Sequence, residues 1–374
     1  NENNSFSYLI YINSEKEYLS SPKFEKDSEF WHDTFDSIPV TGQIPSKKIL
    51  SFNSNIDYSC KRNEYVISKN LVNDINNYCK ENKVSIFNFF MSVFAIYTNK
   101  VCNLDDFVIG SPILNRTNFK EKHTTGMFIS TVPYRIKLDN KLNFNTIIKN
   151  LAAQSMQILR HQKYPYQYIL QDLRKIDPFV PNLYDFLISY QNIRSDKQTN
   201  SIKYESKWFS NGNVSDSLNI HLYDMNDLGS LNIAYDYQIN KYTSKDILNI
   251  HTHILSIISQ VLDNPNILLE NINILTKDDF DKLENTIMKN KVDFGFGNNI
   301  LEQIEENAKG NLDNIAIETS SSSISYNDLF KRVNKLANHL INQGLKPYNN
   351  IGIFTSRTID TIVGILAILK IGCT

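Results

Sequence analysis

Between Ser85 and Tyr97 the chain reads SIFNFFMSVFAIY, so continuously apolar that a helix built from it has almost no polar face to turn toward water. Ser85 is placed to cap that helix through its hydroxyl. Such a helix must be buried nearly all round, and the chain must supply the layers that bury it. The run is too short for a membrane span, which needs about 20 residues, and so is the second apolar run at 362–371. Both are expected as core helices.

The neighbouring sequence supplies those layers. Phe30, Trp31 and Phe35 predict a short helix with an aromatic face, followed by a loop with Pro39, Gly42 and Pro45. Tyr65, Val66 and Ile67 make a strand, and Leu71, Val72, Ile75, Tyr78 and Cys79 fall at helical spacing. Residues 106–135, DFVIGSPILNRTNFKEKHTTGMFISTVPYR, read as strand, loop, strand. Phe107, Val108 and Ile109 run into Gly110 and Pro112, and Val132, Tyr134, Ile136 and Leu138 alternate with a period of two. The loop between them carries Asn115, Arg116 and Gly126, and a loop held between strands is a natural place for a site.

A helical stripe follows in Phe144, Ile147, Ile148, Leu151, Ile158 and Leu159, with an end expected near Tyr164 because Pro165 disfavours the helical state before it. A short helix with Tyr168, Ile169, Leu173 and Ile176 starts at that proline. Residues 183–192, 217–225 and 228–239 read as three strands, the last two joined at Asn226-Asp227, and Thr243 with Asp246 caps a long helix ending near Leu262. Alternating strands and helices over these 262 residues argue for an α/β layered domain.

Residues 263–298 change character: Asn264-Pro265 ends the helix, 277–288 looks helical behind a Thr276–Asp279 capping box, and Gly295 and Gly297 loosen the chain into a linker. A second pattern begins at Ile300: a helix to Ala308, strands at 315–318 and 324–326 around a Ser320–Ser323 turn, a helix from Asn327 with Leu329, Val333, Leu336 and Leu340, and Gly344 as its cap. A strand at 350–354 and a helix from Ser356 and Arg357 are expected next. This is the opening of a doubly wound α/β domain. The organisation expected is 1–275, a linker at 276–298, and 299–374. The chain lacks an initial Met and stops at Cys373-Thr374 directly after an apolar run, so a cut piece of a longer protein is expected.

A net charge of −1 gives no long-range field and no basic stripe, which argues against nucleic-acid and anionic-membrane partners. Cys60, Cys79, Cys102 and Cys373 are scattered without metal-ligand spacing, as in a reduced intracellular, cytoplasmic protein. His161, beside Pro165, is either a functional ring or a cap on the last helix carbonyls. His251 and His253, two apart on a helix, face different ways and do not share a metal ion, and His123 lies in a charged loop. Arg116 and Arg135 are either anion receptors or forks that hold loop carbonyls and carboxylates. The Ser320–Ser323 run lacks the glycines and lysine of a phosphate loop. From the residues alone, no complete catalytic constellation is present.

The stretch VIGSPILNR followed by TGMFISTVPYR resembles a paired motif of the condensation domain of nonribosomal peptide synthetases. YLSSPKFEKDSEFW, HQKYPYQ and LYDFLISYQN match further motifs in the same order, so the resemblance covers residues 6–285. SISYNDLFKRVNKLANHL is similar to the first core motif of an adenylation domain, and LKIGCT to the start of its second. The resemblance implies a chloramphenicol acetyltransferase-like α/β subdomain, a mixed sheet with helices, then the truncated start of an α/β adenylate-forming domain. It implies amide-bond formation between carrier-bound thioesters, with phosphopantetheine on the carriers and ATP with Mg for adenylation. Peptidyl and acyl carrier domains, the N-terminal half of the condensation domain and the rest of the adenylation domain are the implied partners.

The family's His-His-x-x-x-Asp-Gly motif is absent and is expected upstream of Asn1, so the fragment alone is expected to be inactive. Within this resemblance Gly110, Pro112, Asn115, Arg116, Gly126 and Phe128 match the paired motif and His161 and Gln162 the later one. They are assigned to shaping the acceptor channel, the glycines by admitting backbone and Arg116 with Asn115 by pinning the loop. Ser189, Gln191 and Asn192 are candidates for the tunnel lining, and 222–237 for a hairpin reaching across. A non-catalytic scaffold that binds carriers and a coenzyme A-dependent acyltransferase of the same fold are the alternatives.

Overall fold

The computed structural model describes residues 6–46, 57–191, 208–224, 229–288, 300–320, 322–356 and 358–374. The expected turn at Asn226-Asp227, Gly295, Gly297, Asn192 and the helix start at Arg357 lie outside them. Two compact units divide the chain, Asn1–Lys282 and Leu283–Thr374.

In chain order the first unit runs α1 (Tyr8–Tyr18), α2 (Pro22–Thr34), β1 (Val40–Thr41), β2 (Cys60–Ile67), α3 (Lys69–Asn82), α4 (Ile86–Cys102) and β3 (Asp106–Ile113). It continues through α5 (Phe119–Lys122), β4 (Ser130–Lys137), α6 (Phe144–Arg160), α7 (Tyr166–Ile176), β5 (Phe186–Gln191), β6 (Leu218–Tyr223), β7 (Leu231–Gln238), α8 (Ser244–Asp263) and α9 (Lys277–Leu283). The seven strands form one mixed sheet. β3, β5, β6, β7 and β2 lie side by side, β4 pairs antiparallel along all eight residues of β3, and β1 pairs parallel with the start of β3. β3–β5 and β5–β6 are parallel, whereas β6–β7 and β7–β2 are antiparallel.

α4 lies at the centre, packed against α3, α6, α8 and β5. Every residue from Asn88 to Asn99 is buried, as a helix without a polar face requires. Its Ser85 hydroxyl accepts from the Asn88 N–H at 3.1 Å, and the Thr243–Asp246 capping box opens α8. Because side chains alternate along a strand, Phe186, Ile188, Ile220, Leu222, Ile233 and Tyr235 enter this core, while Ser189, His221 and Asp236 stand on the opposite sheet face. Burial holds the Cys79 thiol up to about 12 and the Cys102 thiol up to about 11, so both are inert at neutral pH.

Two expectations are corrected in this unit, and one helix is unforeseen. Leu159 leaves the α6 stripe: it is exposed, and Ser155 takes the buried position that the helical repeat provides between Leu151 and Ile158. α6 ends at Arg160, four residues before Tyr164, and residues 161–165 form the turn into α7. α1 has no counterpart among the expected elements, because Leu9 and Ile10 are exposed and Tyr11 is its one buried residue. No single helix among the described residues is long and apolar enough to cross a membrane.

The second unit opens with a π-helical turn (Glu284–Met288) and contains α10 (Ile300–Ala308), the β8–β9 hairpin (Ile315–Glu318, Ser323–Ser325), α11 (Tyr326–Asn342) and α12 (Ile359–Lys370). Leu329, Val333 and Ala337 of α11 pack with Val363, Leu366 and Ala367 of α12. Gly344, at φ +87°, follows α11 as the left-handed residue expected there. The strand expected at 350–354 does not form. Among the described residues only the Ile351 N–H of this segment finds a backbone partner, the Thr374 carbonyl, and Phe354 is fully exposed. Without a ladder, an extended segment is not a strand. α12 likewise starts at Ile359 behind Thr358, later than the Ser356–Arg357 start expected.

Candidate functional site

The loop that leaves β3 is clamped from inside by one side chain. Asn115 adopts the left-handed conformation at φ 51°, which turns the chain off the strand. Arg116 then donates to the carbonyls of Glu121, Thr124 (2.7 Å) and Gly126 (3.0 Å), and its guanidinium lies 3.9 Å over the Phe128 ring. Lys163 ties α7's approach to the same loop, donating to the Glu121 carboxylate at 2.8 Å and to the Asn115 carbonyl at 3.2 Å. Phe128 packs on Tyr11 at a centroid distance of 4.1 Å, and the Tyr8 hydroxyl donates to the Met127 carbonyl at 2.6 Å. Of the two readings left open for Arg116, the fork describes this geometry.

Beside the clamp lies a groove of about 600 Å³. It is bounded by the start of α4 (Phe87, Asn88), the end of β3 and its loop, and the α6 residues Ala152, Met156 and Leu159. Pro112, Asn115, Arg116 and Gln162, four of the residues singled out from the sequence, line it together. Gly110, Gly126, Phe128, His161, Ser189 and Gln191 do not.

Their positions have other physical causes. A Cβ on Gly110 meets the Tyr184 ring at 2.7 Å, and one on Gly126 meets the Tyr8 ring at 2.3 Å. Both glycines therefore make room for aromatic rings, where backbone approach to a channel was expected. The His161 ring stacks on Phe30, with centroids 4.1 Å apart and planes at 10°, and its Nδ1 lies 2.6 Å from Asp27 Oδ1. Asp27 is fully buried and also accepts from Lys23 and Tyr18. Of the two roles left open for it, the ring does not take the cap: it partners a buried carboxylate, while the His161 backbone N–H donates to the Gln157 and Ile158 carbonyls at the end of α6. Arg135 is a second fork, buried, with Asp106 on one side and Asp36 on the other.

A third arrangement crosses the sheet face opposite the α4 core. Ser189 Oγ lies 2.7 Å from His221 Nδ1, His221 Nε2 lies 3.5 Å from Asp236 Oδ2, and Arg62 grips Asp236 through two bonds of 2.7 and 2.6 Å. Burial works against the Asp236 charge, but the Arg62 and His221 bonds outweigh it and hold the carboxyl at about 2. An ionised Asp236 only accepts, so in the neutral ring Nε2 carries the proton and Nδ1 accepts from Ser189. Isolated polar residues within SLNIHLY and AYDYQ signal His221 and Asp236 in the sequence, but not that they meet. Ser189 is only 2% exposed, which suits a structural relay and not a nucleophile. Among the described residues no group of His, Cys, Asp and Glu could hold a metal ion.

Residues 1–284 match the condensation-domain family, and residues 304–374 match the AMP-binding enzyme family. The chain belongs to the condensation-domain family. Surfactin synthase subunit 1 of Bacillus subtilis (strain 168) is 30% identical over 368 residues, 98% of this chain and 10% of that protein. Gramicidin S synthase 2 of Brevibacillus brevis is 22% identical over 365 residues, 96% of this chain and 8% of that protein. The chain therefore spans a small part of these relatives.

Among solved structures, a four-domain nonribosomal peptide synthetase bound to AMP and glycine matches with a TM-score of 0.58 at 16% identity, over 95% of this chain and 28% of that one. The condensation domain of the monacolin K polyketide synthase matches with a TM-score of 0.59 at 16% identity, over 69% of this chain and 61% of that one. At such identities the likeness speaks for the fold, and the mixed sheet with its helices is a condensation-domain fold.

Proposed function

We propose that residues 1–275 act as the C-terminal lobe of a condensation domain that joins carrier-bound aminoacyl or peptidyl thioesters, within a peptide synthetase whose adenylation domain begins near residue 299. The observation that carries this reading is the order of the two family matches in one chain. An acyltransferase that draws on free coenzyme A has no use for an adenylation domain behind it. The seven histidines include no adjacent pair. Proton transfer is therefore assigned to residues outside this sequence, and the fragment alone forms no amide bond.

In this reading the groove of Pro112, Asn115, Arg116 and Gln162 belongs to the acceptor side of the channel. Arg116 keeps its wall in shape without touching the reacting atoms. Phosphopantetheine arrives as the arm of a carrier and is substrate to this lobe. ATP with magnesium serves the adenylation portion, and no acidic cluster among the described residues fits the metal, so no step is derived through it.

Amino-acid-dependent ATP–pyrophosphate exchange by the whole parent protein tests the synthetase reading, and silence toward every amino acid would overturn it. Purified residues 1–374 are expected to show neither exchange nor amide formation. A parent protein that binds loaded carriers yet forms no amide would support the scaffold reading instead.

A further inference from the structure

A pocket of about 320 Å³ opens between α1, α5 and the turn that leads into α7, and it shares no lining residue with the groove. That volume is at the lower end of small-molecule sites. Its walls are apolar and aromatic, made by Leu19, Pro165 and the rings of Tyr18 and Tyr168. The Tyr18 hydroxyl is engaged elsewhere, donating to the buried Asp27 carboxylate at 2.8 Å. Three charged side chains complete the lining, the carboxylates of Glu15 and Glu121 and the ammonium of Lys163. Lys163 meets Glu121 at 2.8 Å, and the Thr117 N–H and hydroxyl both donate to the second Glu121 oxygen. Glu15 has no such pairing. Its carboxylate accepts from the Tyr11 hydroxyl, and among the described residues no cation pairs with it.

Tyr11 is itself buried, and desolvation, followed by Glu15 beside it, pushes its pKa well above 10, so the hydroxyl remains a donor. A donor fixed in this way holds the Glu15 carboxylate at the rim of the pocket, and a side chain already held gives up little rotamer freedom when a ligand arrives. Two carboxylates against one ammonium leave one negative charge in a ring-walled cavity.

We propose that this pocket binds a monovalent organic cation, a guanidinium or alkylammonium group on an apolar stem, with Glu15 as its counter-ion. An anion finds no free cation here, because Lys163 is committed to Glu121 and to the Asn115 carbonyl. A neutral apolar ligand gains nothing from Glu15, and among the described residues no acidic group is large enough to hold a metal ion. An organic cation uses both features, its charge against the carboxylate and its stem and face against the tyrosine rings. Two sources carry such a group, a free amine or guanidine and an arginine or lysine side chain within a peptide.

Isothermal titration of the 374-residue chain at physiological ionic strength tests this. The probes are n-butylguanidinium for the free source and N-acetyl-arginine methylamide for the peptide-borne one, each paired with its neutral urea isostere, n-butylurea and N-acetyl-citrulline methylamide. At least one cation is expected to bind about tenfold more tightly than its isostere, and which one does so separates the sources. Glu15 is exposed, so Glu15→Gln should melt where wild type does. Its amide oxygen still accepts from Tyr11 while the charge is gone, and the tenfold preference should vanish. Glu17→Gln, which alters an exposed acid of the same helix outside the pocket, should leave that preference intact. Equal binding of cation and urea, a preference that survives Glu15→Gln, or one that Glu17→Gln also abolishes would each overturn the proposal, as would binding of none of the probes.

Discussion

The Arg116 guanidinium lies 3.9 Å from the centre of the Phe128 ring while three carbonyls of residues 121–126 accept from its edge. One planar cation thus ties a loop to the aromatic cluster of Phe128, Tyr8 and Tyr11. A lysine has neither the fork nor the flat face to do both. Arg116→Lys should cost about 2 kcal/mol in urea melts and raise amide exchange across 117–126. Unchanged exchange there would show that the loop holds itself.

Gly110 and Tyr184 make a packing pair. Gly110→Ala drives a methyl into the ring and should cost about 1–3 kcal/mol. The double variant with Tyr184→Leu should recover part of that loss, measured by thermal melts. Absence of any recovery would mean that backbone conformation, and not the ring, demands the glycine.

His251 is buried, stacked on Tyr65 at 4.3 Å, with Nδ1 3.1 Å from the Tyr235 hydroxyl. Desolvation lowers its pKa from 6.5 to about 4. Because the folded value is depressed, its contribution is fully present above pH 6.5 and is lost as pH falls toward 4, where the unfolded chain takes up a proton that the folded one refuses. His251→Phe should flatten stability across that window. Losing the partner of the Tyr235 hydroxyl should cost about 1–3 kcal/mol at pH 7. Denaturant midpoints at several pH values read both effects.

Asp236 sets a second acid window. Its folded pKa is about 2 against 3.8, so the stability it confers is present above pH 4 and disappears as pH falls toward 2. Asp236→Asn should remove that slope and, by stranding Arg62 in a partly buried site, cost about 3 kcal/mol at pH 7. A variant as stable as wild type would show that Arg62 finds water instead.

Local signals read well in this chain because their causes are local. Ser85 and Thr243 cap helices through atoms within three residues, and the apolar repeat of α4 reports its own burial. The repeat misleads where two adjacent positions both suit the stripe, as with Leu159, and where a strand needs a partner to exist, as at 350–354. α1 carries a local cap in Ser7 but no apolar stripe, because the contacts that hold it, Tyr11 on Phe128 and Tyr8 on Met127, reach more than a hundred residues along the chain.

The sequence by itself determined the family, the two-part order of the chain and most of its helices and strands, since motif order, capping and periodicity are properties of neighbouring residues. Only the tertiary structure decided that Pro112, Asn115, Arg116 and Gln162 share one groove, that His161 belongs to Asp27, and that Ser189 meets His221 and Asp236. Those meetings depend on which strands pair and how helices pack upon them. No short-range rule encodes the distance between residues brought together from opposite ends of a sheet.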